Sequence, residues 1–379
     1  MRATVVGGGI GGLATAIGLG RAGWQVTLLE RQPALTAAGA GLLVWPNAVH
    51  ALRALGVGDA VAAAGVPNRD GGGIRRSDGR WLYRMDGAAL ARQLSAPVIT
   101  MHRGDLHEIL TAALPESVEV HTGVDVDDVP TEGDLVIAAD GIHSALRRQL
   151  AAQTKVRDSG QIAWRAITTG KFDLSAGGGE TVGPRGWRVG LAPVGARGVY
   201  WYAAAPGPLR TTSPAEQLAE IEAHVAGWHA PIADLIAATD PADLLHHQLA
   251  DLDPLPPMRF GGRVALLGDA AHAMTPNLGQ GAAQALEDAV TLTAEVGSAS
   301  TAADIAAGLA RYEAARRPRV AALVRNSRRA GDVFGARGRV TAALRDLVVR
   351  AVPARVLQAN AARTASWRPP AGFDAAVAR

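Results

Sequence analysis

Three carboxylates, at widely separated points of the chain, each stand at the end of a short apolar run. They are Glu30, Asp140 and Asp269. Short apolar runs of this composition predict buried strands, and open α/β sheets bind ligands at the carboxyl ends of their strands. A carboxylate at that edge can accept hydrogen bonds from sugar hydroxyls. The three side chains are therefore candidates for holding one extended nucleotide.

A glycine-rich turn near the N-terminus predicts where the phosphates of such a nucleotide bind. Residues 3–6 are apolar and β-branched, and an apolar stretch without proline covers residues 13–21. Between them, Gly7, Gly9 and Gly12 match the spacing G-x-G-x-x-G. The first glycine permits a tight turn, the second lets the backbone approach a diphosphate, and the third lets helix and strand pack closely. The helix dipole adds positive potential at the same point.

Glu30 lies eighteen residues beyond Gly12, at the end of the second predicted strand. A carboxylate at this position accepts hydrogen bonds from a ribose 2′-hydroxyl and disfavours a 2′-phosphate. The pattern therefore predicts NAD or FAD at this site rather than NADP.

Together with the motifs Asp140-Gly141 and Gly268-Asp269, this turn resembles the three ordered motifs of the single-component FAD-dependent aromatic hydroxylases. That family contains para-hydroxybenzoate, salicylate and urate hydroxylases, and the match extends over most of residues 1–330. The resemblance implies FAD as the cofactor, with NADH or NADPH docking transiently as co-substrate. The cofactor-binding residues it indicates are Gly7, Gly9, Gly12, Glu30, Arg31, Arg103, Asp140, Asp269, Gly279 and Gly281.

Within this set, the resemblance assigns four polar residues to particular parts of the cofactor. Glu30 would hold the ADP half and Arg103 the diphosphate. Asp140 would contact both FAD and NAD(P)H, and Asp269 the ribityl chain. Residues 276–281 would form the loop and helix start beside the isoalloxazine ring.

Several of these residues also have an ordinary structural interpretation. Asp140 could cap the helix that begins near Ser144, and Asp269 could cap the helix that follows it. Arg103 could form a surface ion pair. The histidines lack a metal-ligand spacing with Cys, Asp or Glu, so no metal site is predicted.

The order of the predicted elements indicates an α/β fold. We expect a Rossmann-like FAD-binding domain with a parallel central sheet, an inserted β-sheet substrate domain and a helical C-terminal region. The expected boundaries are 1–70, 100–155 and 259–330 for the discontinuous FAD-binding domain, 71–99 and 156–258 for the substrate domain, and 331–379 for the C-terminal helical tail. We expect the tail to form short helices that pack on the core or, alternatively, a dimer contact. Pro318 predicts a kink in the arginine-rich helix before it.

The expected substrate domain contains nine of the 16 aromatic residues. They predict either a wall around a flat organic substrate or an ordinary strand core. The candidate catalytic residues are Arg188, Tyr200 and Pro276, of which Arg188 could anchor an anionic or carbonyl-bearing substrate or simply face solvent. In the urate hydroxylases, the residue matching Asn277 is an aspartate that takes part in the chemistry. The amide here counts against urate as the substrate.

Composition narrows the class of protein further. The chain has 379 residues, 48% of them hydrophobic, and no cysteine, which excludes disulfide scaffolds, thiolate metal sites and cysteine nucleophiles. Its arginines are spread among 35 acidic residues, a pattern typical of a solvated surface rather than a nucleic-acid site. Every apolar run is interrupted before the roughly 18 residues that a membrane helix needs.

We therefore expect a cytoplasmic protein, monomeric or homodimeric, with a small aromatic molecule and O2 as partners and neither nucleic acid nor membrane among them. The resemblance implies a monooxygenase in which NAD(P)H reduces FAD and a C4a-hydroperoxyflavin inserts one oxygen atom of O2 into an electron-rich aromatic or heteroaromatic molecule. The alternatives are a FAD-dependent oxidase or reductase that inserts no oxygen, and a flavin-free dehydrogenase.

Overall fold

The protein is described by a computed structural model that covers residues 1–36, 39–69, 71–174 and 177–373. Strands and helices are interspersed up to Leu266, and the described residues after it contain helices but no strand. The strands are β1 Arg2–Val6, β2 Gln25–Glu30, β3 Gly41–Val44, β4 Val66–Pro67, β5 Gly73–Arg76, β6 Trp81–Arg84, β7 Ile99–His102, β8 Val118–Thr122, β9 Leu135–Ala138, β10 Lys155–Thr168, β11 Gly179–Val182, β12 Arg188–Pro193, β13 Val199–Pro206, β14 Leu245–Asp253, β15 Arg259–Phe260 and β16 Val264–Leu266.

Thirteen helices are present in the described residues, and several of them cover the sheets. They are α1 Ile10–Arg21, α2 Pro46–Ala54, α3 Gly58–Ala64, α4 Gly87–Leu94, α5 Arg103–Ala112, α6 Ala145–Leu150, α7 Pro214–Val225, α8 Ile232–Ala237, α9 Asp269–His272, α10 Gly281–Val296, α11 Ala302–Phe334, α12 Arg339–Ala351 and α13 Ala354–Thr364.

A six-stranded sheet with the order β15-β16-β9-β1-β2-β8 carries the N-terminal turn. Its pairs β1–β2, β1–β9, β9–β16 and β2–β8 are parallel, and only the edge strand β15 is antiparallel. The four residues of β9 are completely buried, as is typical of a central strand in a parallel sheet. The predicted parallel central sheet is confirmed. Its carboxyl edge brings together the ends of β1, β2, β9 and β16.

A seven-stranded sheet with the order β14-β10-β13-β12-β11-β5-β6 forms the second layer, and β3-β7-β4 form a separate three-stranded sheet. On one face of the seven-stranded sheet, Trp164, Trp187 and Trp201 pack into a core with α7 and α8. The rings of Trp164 and Trp187 stack with centroids 5.5 Å apart. These three tryptophans are core residues, as the interpretation of the aromatic residues as an ordinary strand core predicted.

A cavity of about 200 Å³ opens on this tryptophan side, lined in part by Trp187, Arg185 and His224. Residues alternate between the two faces of a strand, so Arg188, Tyr200 and Tyr202 lie on the opposite face. The cavity is thus separated by the sheet from the face that carries the candidate catalytic residues.

The C-terminal part of the described chain is helical. Helix α11 runs without interruption from Ala302 to Phe334, with Pro318 inside it, so the proline removes one backbone donor without ending the helix. The kink at Pro318 and the domain boundaries stay predictions. Residues 374–379 of the expected tail lie outside the described residues.

Candidate flavin and substrate site

The glycine-rich turn between β1 and α1 depends on glycine at two points. Gly7 has a φ of +107°, and a Cβ there would lie 2.4 Å from the carbonyl oxygen of Ala139. A Cβ on Gly12 would lie 1.8 Å from the carbonyl oxygen of Gly7. At Gly9, the N-cap of α1, a Cβ would meet no atom within 4 Å. The turn therefore packs tightly against β9 and α1 and is open at the helix N-terminus, where a phosphate can approach the backbone.

Glu30 lies beside this turn at the end of β2. Its Oε2 accepts a hydrogen bond from the backbone N of Gly8 at 2.6 Å, and its Oε1 accepts one from the N of Gln32 at 2.8 Å. The carboxylate is partly exposed, and each oxygen has a second lone pair for a ligand. Arg31 is exposed just beyond the strand.

Helix α5 meets the same turn, although nothing in the local sequence indicated it. The Nε2 of the buried His107 lies 2.8 Å from the carbonyl oxygen of Gly8, to which it can only donate. Arg103, the first residue of α5, is exposed and lies one turn before His107. The pKa of His247 is lowered, first by burial and then by the positive charges of Arg165, His246 and Arg103. Arg103 thus adds to a region of positive charge, which favours an anionic ligand.

Asp140 and Asp269 are linked by a buried arginine. Arg147 is 1% exposed and donates hydrogen bonds to the carbonyl oxygens of Ile142 and Ala270, at 2.6 and 3.2 Å. Burial lowers the pKa of Arg147, while the charges of Asp140 and Asp269 act in the opposite direction. One guanidinium therefore connects the ends of β9 and β16.

Neither aspartate is the N-cap residue of a helix, although Asp140 Oδ2 accepts a hydrogen bond at 3.5 Å from the backbone N of Leu146, in the first turn of α6. Ser144 is the N-cap of α6 and accepts a hydrogen bond from the N of Arg147 at 2.9 Å, while the N-cap of α9 is Gly268, with a φ of +60°. Ser144 and Gly268 therefore take the N-cap positions that the capping interpretation gave to Asp140 and Asp269. The Oδ1 of Asp140 is buried and has no hydrogen-bond partner among the described residues, and Asp269 is exposed.

Behind Asp269 lies a buried network of charged groups. Asp288 Oδ2 accepts from the backbone N of Gly268 at 3.0 Å and from His272 Nε2 at 2.5 Å. Arg316 donates to Asp288 Oδ1 at 2.6 Å and also contacts Glu287, although both carboxylates are 0% exposed. Burial acts to raise the pKa of Asp288, but the charges of His272 and Arg316 outweigh it and hold this pKa below its ordinary value. The turn that presents Asp269 is therefore held by a charged, fully paired carboxylate.

The same network reaches the loop before α10. Asn47 on α2 donates to Glu287 Oε1 at 2.6 Å and to Gln280 Oε1 at 2.9 Å. In the loop, Gly279 has a φ of +61°, and a Cβ there would lie 3.0 Å from Trp45 Nε1. Pro276 is exposed, and a Cβ on Gly281 would meet no atom within 4 Å. The contacts of Asn47 and Trp45 thus hold one side of the loop, and the side with Pro276 and Gly281 is open.

Arg188 connects this loop to the seven-stranded sheet. It is 2% exposed, and its Nη2 donates to Asn277 Oδ1 at 2.9 Å and to Gln161 Oε1 at 3.0 Å. The amide of Asn277 is fixed in turn, because its Nδ2 donates to Thr275 Oγ1 and to the carbonyl oxygen of Ser327. The solvent-facing alternative for Arg188 is wrong, since the sheet and the loop enclose this side chain.

Two residues beside Arg188 were not among the candidates. Glu180 Oε2 lies 3.8 Å from Arg188 Nη1 and accepts a hydrogen bond from the hydroxyl of Tyr202. Burial, and then the charge of Glu180, raise the pKa of Tyr202 well above its ordinary value. Tyr200 instead packs against β3, where a Cβ on Gly41 would lie 2.0 Å from its ring. Strand alternation could have placed Tyr202 on this face, but no sequence signal indicated Glu180.

These features fit a flavin dinucleotide. An open helix N-terminus, a carboxylate beside it and two further aspartates lie along the carboxyl edge of one parallel sheet, and Asp140 keeps a buried acceptor without a partner among the described residues. The loop and Arg188 close one end of this edge against the second sheet. In the described part of the chain, no group of three His, Asp or Glu side chains is arranged to hold a metal ion.

Comparison with known proteins gives the class of the protein. The family model described as "FAD binding domain" matches residues 1–129 and 120–327, so the chain belongs to this family, that of the FAD-dependent aromatic hydroxylases. It is a FAD-dependent monooxygenase.

Individual relatives are similar over nearly the whole chain. An aurachin C monooxygenase/isomerase of Stigmatella aurantiaca is 38% identical over 348 residues, which are 87% of this chain and 88% of that protein. A FAD-dependent urate hydroxylase of Klebsiella pneumoniae is 35% identical over 351 residues, 88% of this chain and 90% of that protein. The structure of Klebsiella pneumoniae HpxO complexed with FAD and uric acid has a TM-score of 0.84 at 30% identity, covering 96% of each chain.

Proposed function

We propose that the protein inserts one oxygen atom of O2 into an electron-rich heteroaromatic molecule that carries a ring carbonyl or an anionic group, with NADH or NADPH as electron donor. The observation that carries this proposal is the link between Arg188 and Asn277 at 2.9 Å, because it joins the substrate-facing side of the seven-stranded sheet to the loop at the flavin end of the groove. Bound FAD would supply the redox chemistry, namely transfer of a hydride from NAD(P)H and activation of O2 for transfer of one atom.

The protein's own residues would bind and orient the cofactor. We assign Gly7, Gly9 and Gly12 to the diphosphate, together with the positive charge of Arg103. Glu30 would accept from the ribose of the ADP half, with Arg31 beside it. The exposed carboxylate of Asp269 and the partnerless oxygen of Asp140 would accept from hydroxyls further along the cofactor, and the open backbone at Gly279 and Gly281 would face the ring.

The substrate end would be formed by Arg188, Tyr200 and Pro276. Arg188 Nε is buried and has no hydrogen-bond partner among the described residues, so one donor of an otherwise fixed guanidinium is available to a substrate oxygen. The relatives named for aurachin C and urate support a heteroaromatic substrate. Urate itself is not favoured, because the amide of Asn277 cannot accept a proton where the urate hydroxylases carry an aspartate.

The same geometry supports the remaining parts of the proposal. A monooxygenase must keep its reduced, oxygen-reactive flavin away from water, and the buried contacts around Asn277 and Arg188 close the loop against the sheet. An oxidase or reductase without oxygen insertion has no specific support in this site. We also infer that the enzyme acts in the cytoplasm on a free small molecule, as a monomer or homodimer.

The test is a panel of heteroaromatic compounds, urate included, screened for stimulation of NADH and NADPH oxidation by the FAD-loaded protein. We expect a carbonyl-bearing heterocycle to stimulate oxidation, with less H2O2 formed than NAD(P)H consumed, and urate to have no effect. Arg188→Gln should raise the KM for that compound by about tenfold, the equivalent of one charged hydrogen bond. Arg185→Gln, an exposed arginine three residues away, is the matched control.

Three results would contradict the proposal at different levels. If the H2O2 formed equals the NAD(P)H consumed, the protein acts as an oxidase and not as a monooxygenase. Stimulation by urate would overturn the substrate assignment alone. An unchanged KM in Arg188→Gln would mean that Arg188 does not bind the substrate.

A further inference from the structure

Helix α12 turns its apolar side chains away from the protein. Val340, Leu344, Leu347 and Val348 are 81%, 57%, 65% and 53% exposed. Their spacing places all four on one face of the helix. They are half of the large hydrophobic residues found exposed in the described chain, although α12 has only 13 residues. An exposed apolar stripe of this kind marks an interaction surface.

The opposite face of α12 is charged and buried. Arg345 and Asp346 are 6% and 8% exposed, and Arg345 donates to Asp346 Oδ1 at 2.7 Å. Asp346 also lies 3.5 Å from Arg76 at the end of β5, so an ion pair attaches the helix to the seven-stranded sheet. A surface helix of a globular protein normally has the reverse arrangement, with its apolar face inward. The packing of α12 thus leaves its apolar face available for something else.

The surroundings of the stripe are positively charged. Residues 331–379 contain eight arginines and three aspartates, whereas the remainder of the chain has 30 basic and 32 acidic residues. Arg337 precedes the stripe, while Arg350 and Arg355 follow it, and all three are exposed. The only acidic residue of α12, Asp346, points inward. The exposed surface therefore combines an apolar stripe with cationic ends.

This charge distribution indicates what kind of partner binds the exposed face of α12. If two copies of α12 packed against each other in antiparallel order, Arg337 of one copy would face Arg350 and Arg355 of the other, without an acidic partner on the helix. An anionic lipid surface complements both features, since apolar side chains enter the headgroup region and arginines bind lipid phosphates. No helix in the described residues is long and apolar enough to cross a membrane, so the contact would be at the surface.

We propose that α12 docks the protein on anionic membrane surfaces, with Val340, Leu344, Leu347 and Val348 inserted and the flanking arginines at the phosphates. This surface binding differs from the sequence-based expectation that no membrane is a partner. It does not depend on the proposed oxygenase reaction, because it involves none of the groove residues.

The test is co-sedimentation of the full-length, FAD-loaded protein with phosphatidylcholine vesicles that contain or lack phosphatidylglycerol. We expect binding only to the anionic vesicles, and weaker binding at raised salt. The double variant Leu344→Glu, Leu347→Glu should lower the partition constant by about tenfold or more, since two apolar anchors become charged. Val156→Glu, which changes an exposed apolar residue of β10, is the matched control and should bind like the wild type.

Both leucines are exposed, so the double variant should keep the FAD content and melting temperature of the wild type. Arg350→Glu combined with Arg355→Glu should also weaken binding, by about tenfold from two lipid-facing charges. The proposal is overturned if the wild type does not sediment with phosphatidylglycerol vesicles or if the double variant binds them equally well. It is also overturned if light scattering shows a dimer that the double variant dissociates while vesicle binding is absent, because α12 would then be a contact between copies.

Discussion

The acids that line the groove and the acids behind it have opposite surroundings. Asp269 is exposed, and Asp140 has a buried oxygen without a partner among the described residues. Glu287 and Asp288, on α10, are completely buried, and each of their four oxygens accepts at least one hydrogen bond. The first pair has acceptors that a ligand can reach, whereas the second pair is enclosed by the protein groups that donate to it.

This contrast distinguishes acids that can bind the cofactor from acids that hold other residues in position. Asp288 holds the backbone N of Gly268, and Asp269 is the next residue, so the buried acid fixes the direction of the exposed one. Burying two carboxylates carries a large desolvation cost, which here is offset by Arg316, Arg319 and several neutral donors. We therefore expect substitutions in the buried region to affect the fold, and substitutions in the groove to affect the cofactor.

Removal of the buried arginine should have the largest effect. Arg316→Met leaves Glu287 and Asp288 buried without their main counter-charge, and we expect the free energy of unfolding to fall by about 3–5 kcal/mol. The control is Arg311→Met on the same helix, because the Arg311 side chain is 58% exposed in its pair with Glu295 and such pairs contribute about 0–1 kcal/mol. Denaturant unfolding measures both. Equal losses in the two variants would mean that the buried network does not stabilise the fold.

A substitution in the groove should have the reverse pattern. Asp269→Ala removes an exposed acceptor, so FAD binding should weaken by about 1–3 kcal/mol while the unfolding free energy of the cofactor-free protein changes little. Asp234→Ala, at an exposed position of α8, is the control. FAD dissociation constants come from flavin fluorescence titration. A large loss of stability with unchanged FAD affinity would place Asp269 in the positioning region instead.

The sequence predicted the parts of the site that depend on neighbouring residues. The turn at Gly7 and Gly12 requires glycine because of contacts with the adjacent strand and with the turn itself, and such requirements leave a local pattern. Whether Asp140 caps a helix depends on backbone geometry a few residues later, so the sequence left two interpretations open. The structure decides between them because Ser144 takes the capping position.

The supporting contacts could not be predicted, since each joins residues far apart in the chain. His107 contacts Gly8 across 99 positions, and Arg147 contacts Ala270 across 123. Glu287 and Asp288 stand next to each other in the sequence, but their partner Arg316 is one of many arginines in its helix. The outward apolar face of α12 could not be predicted from the sequence either, because an amphipathic pattern does not determine which face of a helix packs inward.

The smallest effect concerns the pH dependence of the buried region. Burial acts to raise the pKa of Asp288, and His272 and Arg316 act to lower it; their balance sets this pKa below the ordinary value of 3.8. A carboxyl group with a lowered folded-state pKa stabilises the fold fully above its unfolded-state pKa, and this stabilisation is lost as the pH falls through the folded-state value. Protonation of Asp288 should therefore narrow the difference in melting temperature between the wild type and Asp288→Asn only below about pH 4. If burial prevailed instead, the pKa would be raised and the difference would already narrow between about pH 6 and 5, so thermal melts across this range show whether the partner charges outweigh the desolvation of Asp288.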